Sequence, residues 1–180
     1  MGRAAGITSI LALALAACGG SESPSIVQPS AIAVPAGEAC TEQLKLAEAP
    51  SRDHVAATQR VQYATNPPTS GEHWSAPAGP VPTGVYDRPL PDEATVHNLE
   101  HGHVIVHHNG VPEDALAQIE AIVRADPIQM VMVPRPSMDH MLALTSWTVI
   151  QVCDEMPDDP IELVRSFVQA NRDNAPESIP

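Results

Sequence analysis

The chain has 180 residues, with 9 Lys+Arg against 22 Asp+Glu and a formal net charge of −13. Hydrophobic residues make up 43% and charged residues 17%, a composition that suits a packed core and excludes full disorder, and the length suits one domain plus a tail. So acidic a chain repels phosphate, which argues against a nucleic-acid partner, and with aromatics at only 3% the core must be aliphatic.

Residues 1–17 read as a lipoprotein signal peptide rather than as fold. Arg3 supplies a small positive region, Ile7 to Leu15 an apolar stretch too short for the roughly 20 residues of a membrane span, and Leu15-Ala16-Ala17-Cys18 a small-residue cleavage region of bacterial lipobox type. The implied chemistry is diacylglycerol attachment to the Cys18 thiol and cleavage before it, the alternative being an ordinary secretory signal in which Cys18 is incidental. Residues 18–39 follow as the lipidated cysteine and a flexible tether rich in Gly, Ser, Pro and Ala. The expected location is extracytoplasmic, anchored by lipid to a bacterial membrane at its periplasmic face or at the cell surface. Export leaves Cys40 and Cys153 as an even pair in an oxidising compartment, so a Cys40–Cys153 disulfide is expected. The rival reading is two separate thiols, one of them available to copper.

Residues 40–180 are expected to form a single α+β domain, a mostly antiparallel sheet with two helices on one face and a long Pro/Gly-rich loop. In chain order, a weak strand is signalled at 61–64, and the loop runs from Asn66 to Asp92. Within it the prolines of Asn66-Pro67-Pro68-Thr69-Ser70-Gly71-Glu72-His73-Trp74 fix φ, and a rigid segment of that length looks built to place His73 and Trp74. Runs rich in Val, Ile or Thr predict strands over 102–108, 128–133 and 141–152. Between the first two, Pro112 opens a helix carrying Leu116, Ile119 and Val123 at i, i+3 and i+7. A last helix opens at Asp159-Pro160-Ile161-Glu162, with Asp159 as cap and Ile161, Val164, Phe167 and Val168 as its buried stripe.

Five of the eight histidines fall together at His97, His101, His103, His107 and His108. Neutral imidazole is the commonest metal ligand. His97 and His101 share a face in a helical turn, His101 and His103 share one in a strand, and Gly102 can join the two geometries. His73 is the candidate fourth ligand, with Glu100 as an orienter or proton acceptor. The alternatives to metal binding by His97, His101 and His103 are a structural hydrogen-bond network and a pH-responsive surface. His107 and His108 are expected to be exposed. His97-Asn98-Leu99-Glu100-His101 also matches the H-x-x-E-H pattern of zinc proteases, although Gly102 and the apolar run after it stop the helix. Met138, His140 and Met141 form a possible second metal site through soft thioether sulfur, whereas Met130 and Met132 read as core. The Gly-x-Ser-x-Gly motif, a Gly-rich phosphate loop and CxxC are all absent from the sequence.

Asn66-Pro67-Pro68-Thr69-Ser70-Gly71-Glu72-His73, Gly84-Val85-Tyr86, Val96-His97-Asn98-Leu99-Glu100-His101-Gly102-His103-Val104, Leu144-Thr145-Ser146-Trp147 and Ala175-Pro176-Glu177 occur in that order. The series resembles the bacterial family called domain of unknown function 3105, whose members are often secreted or membrane-tethered. The likeness covers roughly residues 61–177 and brings no established reaction. Together these readings point to an anchored domain that binds one transition-metal ion, copper favoured over zinc, and serves binding, sensing or handover rather than turnover. The alternatives are a metal-dependent hydrolase in which Glu100 polarises a metal-bound water and a non-catalytic structural or adaptor lipoprotein.

Overall fold

The computed structural model describes residues 1–2, 29–126 and 128–177. The leader, the lipobox and Cys18 lie outside the described residues. Within 18–39, the described residues near the domain make contacts with it. Ile32 and Val34 pack against Met138, Ala143, Ile150 and Val152, and the Ser30 N–H donates to the Ala64 carbonyl at 2.7 Å. Through Ile32 and Val34 this end of the segment docks on the domain.

The main sheet has six strands in the order β1-β8-β7-β5-β6-β4, where β1 is Leu44–Lys45, β4 Gly84–Val85, β5 Val104–His108, β6 Met130–Pro134, β7 Leu142–Ser146 and β8 Val149–Cys153. Pairing is antiparallel from β1 through β8 and β7 to β5, and parallel from β5 through β6 to β4. A separate two-stranded parallel sheet joins β2 (His54–Val55) to β3 (His73–Trp74). Among the described residues three helices accompany these strands, α1 (Asp92–Glu100), α2 (Glu113–Ala125) and α3 (Pro160–Asn171). The architecture is α+β.

Side chains alternate along β5, and two apolar clusters follow from that alternation. Val104 and Val106 pack with Met130, Met132, Leu142 and Leu144, with Ile119 and Val123 of α2, and with Val164, Phe167 and Val168 of α3. Ile105 instead packs with Val131, Val133, Trp147 and Tyr63, and with Val96 and Leu99 of α1. Asp159 caps α3 as read, its side chain accepting from the Glu162 N–H at 2.9 Å.

Three sequence expectations change. The run 141–152 is a hairpin, not one strand: it turns at Trp147-Thr148, with Thr148 at φ 61°, and carries no Gly, Pro or Asn to announce the turn. Residues 61–64 form no strand: the Val61 N–H is taken by Glu93 Oε1 at 2.9 Å and the Ala64 carbonyl accepts from the Ser30 N–H at 2.7 Å. His107 is buried at 1% exposure, since β5 is flanked by strands on both edges and covered on both faces; His108 is half-buried.

The His107 ring meets Thr145 Oγ1 at 3.1 Å, and burial, reinforced by Arg135 and His108, holds it well below the ordinary histidine value. The unfolded chain takes up this proton below about pH 6.5 and the folded chain refuses it. Its contribution to stability is therefore complete above about pH 6.5 and lost below it, by at most about 1.4 kcal/mol per pH unit. Urea unfolding at about pH 7 and about pH 5 should show this loss, and His107→Leu should reduce it. Equal losses in the two proteins would remove His107 as the cause.

Candidate metal centre

The two-stranded parallel sheet places the first pair of imidazoles. Its register sets His54 directly beside His73 and Val55 beside Trp74, so the two histidines share a face and their ring centroids lie 4.8 Å apart. Helix α1 brings the second set, with His97, Glu100 and His101 at i, i+3 and i+4 on one helical face. Among its last eight residues every side chain is buried, polar ones included. Glu93 accepts from Arg60 at 3.0 Å and from the Val61 N–H at 2.9 Å. Asn98 grips Val81 through both backbone groups, at 2.8 and 3.0 Å. Arg135 forks onto the Asp92 carboxylate. The helix is thereby pinned to the Pro-rich segment that delivers His73.

One ligand atom from each of His54, His73, His97 and Glu100 lies within 4.8 Å of the others. His73, His97 and Glu100 are buried, whereas the His54 side chain is 44% exposed and forms the solvent side. The tautomers of two rings follow from their partners. A carbonyl only accepts, so His73 Nδ1 must donate to the Gly71 carbonyl at 2.9 Å and His97 Nδ1 to the Trp74 carbonyl at 2.7 Å. In the neutral ring each Nε2 is then a bare lone pair. Backbone acceptors on the far nitrogen are the usual orienters of metal-bound imidazole.

His73 Nε2 comes within 2.8 Å of Glu100 Oε2. Yet neither atom has a hydrogen-bond partner among the described residues, and both are buried. With His73 neutral and Glu100 ionised, two acceptors face each other in a buried site, an arrangement that a proton on His73 Nε2 or a bound cation would resolve. Two donors bonded to one tetrahedral zinc ion at about 2.0–2.2 Å sit roughly 3.3–3.6 Å apart, so this pair would open by about half an ångström to admit one. Burial, with smaller contributions from His73, His101 and His54, pulls His97 down to about 4 against the opposing Trp74 hydrogen bond. The ring is neutral at ordinary pH, which is its ligand form.

Of the sequence-predicted ligands, His73 and His97 come together. His101 stacks on His97 at 4.7 Å but groups with Glu100 and Glu177. His103 is in neither group: its Nδ1 accepts from Asn98 Nδ2 at 2.9 Å, because Gly102 at φ +80° turns the chain before β5 begins. The Met138-His140-Met141 site is not assembled. Met138 is 2% exposed and packs in the core with Ala143, Ile150 and Val152, and His140 Nδ1 is engaged by Asp154 at 2.6 Å. Met130 and Met132 are core, as read. The cysteines form the Cys40–Cys153 disulfide.

Two members were missed, His54 and Glu177. His54 stands alone in a polar stretch, and only its pairing with β3 recruits it. Glu177 belongs to the Ala175-Pro176-Glu177 motif, which was a usable signal.

Fold and site together define an α+β domain with a His/Glu cluster that could hold a metal ion. Residues 54–179 match the family described as protein of unknown function (DUF3105), and the chain belongs to that family. No curated protein and no solved structure matches it. Among the described residues no helix is long and apolar enough to cross a membrane.

Proposed function

We propose that this protein is an extracytoplasmic, lipid-anchored domain that binds a divalent transition-metal ion through His54, His73, His97 and Glu100. The observation that supports the reading is the convergence of three imidazoles and one carboxylate, whose ligand atoms lie within 4.8 Å of one another with His73, His97 and Glu100 buried. The anchor rests on Leu15-Ala16-Ala17-Cys18, and a disulfide at Cys40–Cys153 fits an exported domain. Three imidazoles and one carboxylate suit a borderline ion, zinc or copper(II). The thioether argument for copper falls away, because Met138 is occupied in the core.

Four protein donors make a closed set, which favours binding, sensing or handover over turnover. The hydrolase alternative would use Glu100 on a metal-bound water, but a Glu100 carboxylate oxygen stands among the candidate donors instead. Metal analysis of the full chain, purified in detergent without a histidine tag, tests the reading. Stoichiometric zinc or copper is expected, and it should be lost in His54→Ala/His97→Ala. A chain that carries no ion and shows no thermal shift on adding zinc or copper(II) would overturn it, leaving the structural or adaptor role.

A further inference from the structure

We infer that Glu100 bridges two metal ions, the second held by His101 and Glu177 beside the first. The inference rests on the one-ion reading above and extends it. Glu100 belongs to both candidate groups, His54-His73-His97-Glu100 and Glu100-His101-Glu177, and in each the ligand atoms lie within 4.8 Å of one another. A carboxylate has two oxygens and commonly spans two cations about 3.5–4 Å apart. Glu100 is 2% exposed, and its Oε2 has no hydrogen-bond partner among the described residues. His101 Nδ1 is likewise buried and without a partner there. The His97 and His101 rings lie 4.7 Å apart with an interplanar angle of 29°, a stacking that suits imidazoles bound to adjacent ions.

Glu177 is brought in by backbone contacts and not by chance of a loose tail. Its N–H donates to the Glu100 carbonyl at 3.3 Å, and the Asp173 N–H to the Gly102 carbonyl at 3.4 Å. The tail runs so close that a Cβ at Gly102 would stand 3.0 Å from Asp173 Cα. The first ion has four protein donors and the second only three, so the second keeps an exchangeable position for water or a small anionic oxygen ligand. Its exposed side is formed by Glu177.

The test is the zinc(II) stoichiometry of the tag-free full chain, measured after a weak chelator has stripped loosely held ions from the acidic surface. Two ions per chain are expected, falling to one in His101→Ala and in Glu177→Gln, with the affinity of the remaining ion within about threefold of the parent. Glu177→Gln alters only an exposed tail residue, so it decides the matter if His101→Ala fails to fold. Loaded with copper(II), the parent should show the half-field resonance of a coupled spin pair, and Glu177→Gln should lose it. One zinc per chain, unchanged in both variants, would overturn the bridge and leave the one-ion reading standing. No zinc at all would overturn both, and two ions retained in both variants would place the second elsewhere and overturn this assignment.

Discussion

Glu100→Gln is expected to abolish metal-induced stabilisation while leaving the metal-free protein as stable as the parent or more so. The carboxylate is buried, and its Oε2 faces the bare His73 Nε2 at 2.8 Å with no hydrogen bond to either atom among the described residues. Without a cation the carboxylate faces the imidazoles of His73 at 2.8 Å and His54 at 3.8 Å, and while both rings are neutral its burial costs several kcal/mol. Glutamine has nearly the same shape, removes the charge and offers an N–H to the His73 lone pair. With the ion, the balance reverses. At a free metal concentration of about 1,000 times Kd, the parent gains about 4.1 kcal/mol from binding, and a variant lacking a charged donor gains little of it. His73→Ala should lose the same gain and in addition destabilise the metal-free fold, since it empties a fully buried site. The competing picture, a structural His–Glu ion pair, predicts the opposite sign for the metal-free Glu100→Gln protein: breaking a buried pair typically costs 3–5 kcal/mol. Thermal melts with chelator and with zinc, on parent and variant, separate the two. A Glu100→Gln protein destabilised to the same extent in both conditions would sink the metal site.

What the sequence made legible is the part of the fold governed by local pattern. Ile119 and Val123 recur on one face of α2, and Asp159 with Pro160 marks the start of α3, so both helices were readable from spacing and caps. Helix α1 was readable only as a turn. Its residues Glu93 to Glu100 are buried all round, and Glu93 and Asn98 are satisfied by partners as far off as Arg60 and Val81, so no amphipathic period exists to detect. The same physics divides the site. His97 and His101 lie on one helical turn and were paired by spacing, whereas His73 was reached through the stiffness of its proline-rich segment. His54 owes its place to a two-residue parallel pairing with β3, a tertiary contact without local signature. His103 failed because an i, i+2 argument assumes that the strand has begun, and with Gly102 at φ +80° the strand starts only at Val104, two residues later than read.

Replacing both cysteines, Cys40→Ser/Cys153→Ser, is expected to cost about 4–5 kcal/mol by loop closure. The bridge joins residues 113 apart and encloses both strands and the helix that carry His54, His73, His97 and Glu100. Its position follows from the ladder. The Thr41 N–H donates to the Val152 carbonyl and the Asp154 N–H to the Ala39 carbonyl, so Cys40 and Cys153 face each other as a non-hydrogen-bonded antiparallel pair, the one in which side chains lie closest. Little else in regular structure ties this edge down, since β1 contributes only Leu44 and Lys45 opposite β8. For a domain of this size each kcal/mol lowers Tm by roughly 2–4 °C, so the double variant should melt about 8–20 °C below the parent. A reducing agent should produce the same shift in the parent and none in the variant. Metal affinity measured well below that melting range should be unchanged, because the donors sit inside the closed loop and their hydrogen-bonded orienters, Gly71 and Trp74, are untouched. A fall in zinc affinity of tenfold or more in the folded double variant would show that the cross-link shapes the site as well as holding the chain.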